Sequence, residues 1–83
     1  MPDPDYLALR GRLAQAQDEM RDAESRVTNA VEVLRRRIIL FSTPEDIEIN
    51  SVRAAVDDLA EERGNWIRLR DETDRIKSRL GMK

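Results

Sequence analysis

The sequence contains neither cysteine nor histidine. Disulfides, thiolate metal sites, thiol nucleophiles and the commonest general base are therefore all excluded. Aromatic residues are scarce, with only Tyr6, Phe41 and Trp66, and lysine is limited to Lys77 and Lys83 among fifteen basic residues. No apolar run approaches the roughly 20 residues needed to span a membrane. The formal net charge of −2 lacks the basic excess typical of a general nucleic-acid binder. The opening Met1-Pro2-Asp3-Pro4-Asp5 is acidic and unlike a signal peptide, so the expectation is a cytoplasmic protein or a virion component of phage or bacterial origin.

Charge and helical periodicity are abundant. Of the 83 residues, 39% are charged, a composition suited to an extended helical protein rather than a compact one. Beyond Pro2 and Pro4 the one remaining proline is Pro44, which cannot sit inside a helix because it lacks an N–H and clashes with the preceding turn. Thr43 is suited to cap the next helix, Pro44 to its first position, and Glu45 and Asp46 to the positive end of its dipole. The chain is therefore expected to fold back there: one domain over 1–83, with a first helix over about 5–40, a turn at 41–43 and a second helix over about 44–80.

Each arm carries a heptad repeat, abcdefg, with apolar a and d positions. In the first arm it runs Tyr6, Leu9, Leu13, Ala16, Met20, Ala23, Val27, Ala30 and Leu34; in the second, Val52, Ala55, Leu59, Glu62, Trp66, Leu69, Thr73, Ile76 and Leu80. Arg37 breaks the first repeat as a stutter, and Gly81 follows the second as a helix stop. Folding back at the turn sets the seams against each other without adjustment. Leu9 faces Ile76, Leu13 faces Thr73, Ala16 faces Leu69, Met20 faces Trp66 as the bulky centre, Ala23 faces Glu62, and Arg37 faces Glu48. The expected fold is all-α, a two-helix antiparallel coiled-coil hairpin that self-associates into a helical bundle. Asp22–Arg26 and Glu32–Arg36 are expected as acid-before-base pairs along the first helix.

A single hairpin buries little and is marginal alone. Val31 and Ile38 on the first helix, and Ile49 and Val56 on the second, occupy e positions, which flank the seam on one side of an antiparallel pair. Together with Ile39, Leu40, Phe41 and Ile47 they make the turn end apolar. At the open end the same positions hold Arg10, Gln17, Arg70 and Lys77. The expected self-association or partner-binding residues are thus Val31, Ile38, Ile39, Phe41, Ile49 and Val56.

No constellation suggests catalysis, a cofactor or a metal. Asp57, Asp58, Glu61 and Glu62 form the one dense carboxylate cluster, but the spacing matches neither an EF-hand loop nor a di-iron site, and a solvated helix face accounts for it. Arg35-Arg36-Arg37 suggests a nucleic-acid contact through Arg35 and Arg36, although consecutive residues point in different directions around a helix. The functional expectation is a non-enzymatic assembly or adaptor module acting by helix–helix contact with itself, as a dimer, or with another helical protein. The alternatives are a hairpin-dimer nucleic-acid regulator and an inhibitor that docks its apolar stripe on a partner.

Overall fold

The computed structural model describes residues 4–39 and 43–81. Two long helices pack against each other as a hairpin: α1, Pro4–Ile39, and α2, Ile49–Arg79, with a short 3₁₀ turn at Pro44–Asp46 between them. No strand occurs among the described residues. The 36 residues of α1 span about 54 Å at ~1.5 Å per residue. The radius of gyration, 18.7 Å, far exceeds the roughly 12 Å of a compact domain this size, as the 67 × 17 × 14 Å extents require.

The second helix begins later than the expected position near 44. Thr43 is extended and Pro44 opens a turn, but the turn closes after one 3₁₀ step: the Asp46 N–H donates to the Thr43 carbonyl at 3.0 Å and the Ile47 N–H to the Pro44 carbonyl at 3.3 Å. The Asp46 carboxylate reaches back to accept the Thr43 N–H at 3.2 Å. Ile47 and Glu48 then leave helical geometry before α2 starts. In a continuous helix Ile47 would fall at an outward c position; with the chain broken there it is half-buried. Leu40 and Phe41 lie outside the described residues.

At the far end α2 stops where Gly81 takes φ +75°, a left-handed conformation that glycine adopts without steric cost, and its N–H donates to the Ser78 carbonyl at 3.1 Å. Gly11 and Gly64 sit in open space, so neither marks a close approach within the chain.

The seam forms, but its centre is displaced from the expected one. Leu13, Ala16 and Ile76 make the buried cluster, with Leu9 and Leu80 against it; Ala23, Ala55, Leu69 and Thr73 are also buried. Met20 and Trp66 are each only half-buried. Small d-position residues explain the shift, since alanine lets the backbones approach and leaves a large indole little room between them. Ala23 has no accessible surface.

Candidate interaction surface

The hairpin has two broad sides, one on each flank of the seam. On one, the back, Arg26, Asn29, Val33, Asp58, Glu61 and Glu62 line an open groove beside Ala30 and Ala55. Glu62, at a seam position, swings out to this side, where Arg26 Nε donates to Glu62 Oε2 at 2.9 Å. Arg26 thus pairs across the hairpin rather than with Asp22: a half-buried carboxylate needs a charged partner more than an exposed one does. Arg12 and Glu72 approach at 4.0 Å. The groove continues past Val33, Arg36, Arg37, Asp46, Glu48 and Ser51. Here Arg37 donates to the Ser51 hydroxyl and makes no ion pair with Glu48. Glu48 lies outside α2, one residue before it begins, so the register expected from a continuous helix does not hold at this point.

On the other side, the front, Glu24, Val27, Arg63, Trp66, Ile67 and Arg70 line a second groove. The Arg70 guanidinium lies over the Trp66 ring, 5.4 Å from its centroid, a cation–π distance. Trp66 Nε1 is shielded from solvent and has no hydrogen-bond partner among the described residues. One heptad from Glu24 and Arg63 toward the turn come Val31 and Val56, and one heptad further come Ile38 and Ile49. Val31 is half-buried, whereas Ile38, Val56 and Ile49 expose 44%, 46% and 55% of their surface, and Ile39 exposes 66%. Ile38, Ile49 and Val56 therefore lie outside the seam. The Glu24 and Arg63 layer is the part of this side that sequence reasoning passed over. The signal was available, because both residues occupy the same e positions as the stripe.

The three consecutive arginines are held apart. Arg35 pairs with Glu32 at 3.3 Å, while Arg36 donates to the Glu32 backbone carbonyl at 3.4 Å and not to its carboxylate. Glu32 therefore serves Arg35 rather than the expected Arg36. Among the described residues no group of three or more acidic side chains is placed to hold a metal ion, and no helix is long and apolar enough to cross a membrane. The chain matches no protein-family model, no curated protein and no solved structure.

Proposed function

We propose that this chain is a non-enzymatic assembly module, acting by helix–helix contact through the apolar stripe at its turn end and engaging first a second copy of itself. The exposure of Ile38, Ile49 and Val56 carries this reading. Three β-branched aliphatics in two adjacent heptad layers on one side of a thin hairpin are an apolar patch of the kind that marks interaction sites. Covering the half of each that is still exposed is worth about 0.7–1.5 kcal/mol, enough together to decide whether a marginal hairpin associates. A two-fold axis across the stripe sets it against itself, as an isologous interface requires. With neither histidine nor cysteine in the chain, the reading includes no catalytic step.

The test is the double substitution Ile38→Asp, Val56→Asp, followed by sedimentation and circular dichroism. The wild type is expected to sediment as a dimer and the variant as a monomer. A wild-type oligomer whose mass and helicity both survive the substitutions would place the interface elsewhere, and a wild type monomeric at every concentration would end the self-assembly reading.

A further inference from the structure

We infer that the two copies associate with their turns at the same end, about an axis parallel to the hairpin, and that Glu24 of each copy pairs with the partner's Arg63. The inference rests on the self-association proposed above and specifies its geometry. From the turn toward the open end, the front carries the layers Ile38/Ile49, Val31/Val56 and Glu24/Arg63, each about 10.5 Å from the next at seven residues per heptad. Below them the same positions are Gln17/Arg70 and Arg10/Lys77.

Glu24 and Arg63 line one groove, yet no ion pair joins them within the chain, and neither side chain has another charged partner among the described residues. On the back, by contrast, Arg26 and Glu62 close at 2.9 Å. The front thus presents an unpaired carboxylate on α1 and an unpaired guanidinium on α2, next to the stripe.

An axis along the hairpin lays α1 of one copy against α2 of the other at equal height. Ile38 then meets the partner's Ile49, Val31 meets the partner's Val56, and Glu24 meets the partner's Arg63, each contact occurring twice by symmetry. A perpendicular axis through the Val31/Val56 layer would instead press Ile38 and Ile49 onto the partner's Glu24 and Arg63, desolvating charges against isoleucine without compensation. Beyond the Glu24 layer the parallel arrangement sets Arg10 against the partner's Lys77, so like charges end the interface and the open halves diverge.

Glu24→Arg and Arg63→Glu, both at exposed positions, test this. Each variant alone should keep its helicity and weaken dimerisation by about tenfold or more, because each creates two like-charge contacts across the axis. A 1:1 mixture should form a mixed dimer, identified by native mass spectrometry, in which every contact is again between opposite charges. Mixing cannot restore an ion pair internal to one chain, so recovery isolates the contact between copies. As a second measurement, paramagnetic labels on Glu45→Cys should lie within about 30 Å in the dimer, three spacings of packed helices at most. A wild-type dimer that dissociates on Ile38→Asp, Val56→Asp but shows no recovery on mixing, or widely separated labels, overturns this geometry alone. A monomeric wild type overturns it together with the self-association on which it rests.

Discussion

Toward the open end of the hairpin Leu13, Ala16, Leu69 and Ile76 are 93% or more inaccessible, with Leu9 and Leu80 packed alongside; toward the turn Ile38, Ile39, Ile49 and Val56 keep 44–66% of their surface in water. Apolar side chains are denser at the turn end, yet the better burial lies at the open end. At the open end most of the large residues occupy a and d positions, where two helices suffice to cover Leu13, Leu69 and Ile76, while Leu7 at b and Tyr6 at the outermost a position keep 56% and 42% of their surface in water. At the turn end they spread to e positions as well, and a single neighbouring helix covers only one stripe. Apolar content beyond what one seam can cover thus remains as surface, and it is the arrangement of the residues, more than their number, that separates core from exposed face.

The largest expected effect tests that contrast directly. In the Ile38→Asp, Val56→Asp background, expected to be a single hairpin on the proposed reading, Ile76→Ala should cost about 2–5 kcal/mol in urea unfolding, as for other buried aliphatics. Ile49→Ala in the same background should change stability by no more than about 0.5 kcal/mol. Equal costs at the two positions would dissolve the distinction between the halves.

A smaller effect sharpens the account of the open-end core. Thr73 is 3% exposed and its hydroxyl is buried with no partner among the described residues. Thr73→Val keeps the shape and removes the unsatisfied group, so it should stabilise the hairpin by about 1 kcal/mol. A loss of stability would mean that the hydroxyl has a partner in solution. The smallest effect concerns Gly64, which lies in α2 between the two regions. Nothing stands within 4 Å of an added methyl group there. Gly64→Ala should therefore raise thermal stability by about 0.5–1 kcal/mol through helix propensity alone. If it weakens dimerisation instead, a partner backbone approaches at this point and the interface extends further than the Glu24 layer.

Much of the fold was legible because the signals agree. Pro44 forbids a continuous helix, Gly81 favours a stop, and the heptads on either side meet in register. The errors fall where a local rule met a tertiary demand. Thr43, Pro44, Glu45 and Asp46 read as the start of a long helix, but they form a 3₁₀ turn that leaves Ile47 free to turn inward. Arg26 carries an i,i+4 partner in the sequence, yet it crosses the hairpin to neutralise Glu62, which its seam position had half-buried. Trp66 sits at an a position, yet alanines at neighbouring d positions bring the backbones too close for the indole to be enclosed.

By itself the sequence determined that this chain is two amphipathic helices folded back near Pro44, because periodicity, proline and glycine act through the backbone of each residue's own segment. Tertiary structure alone decided which apolar residues lie in the core and which stay outside, and which charges pair. Burial and ion pairing depend on the distance between the two helices, which is set by the packing of every layer together and cannot be read from any one segment.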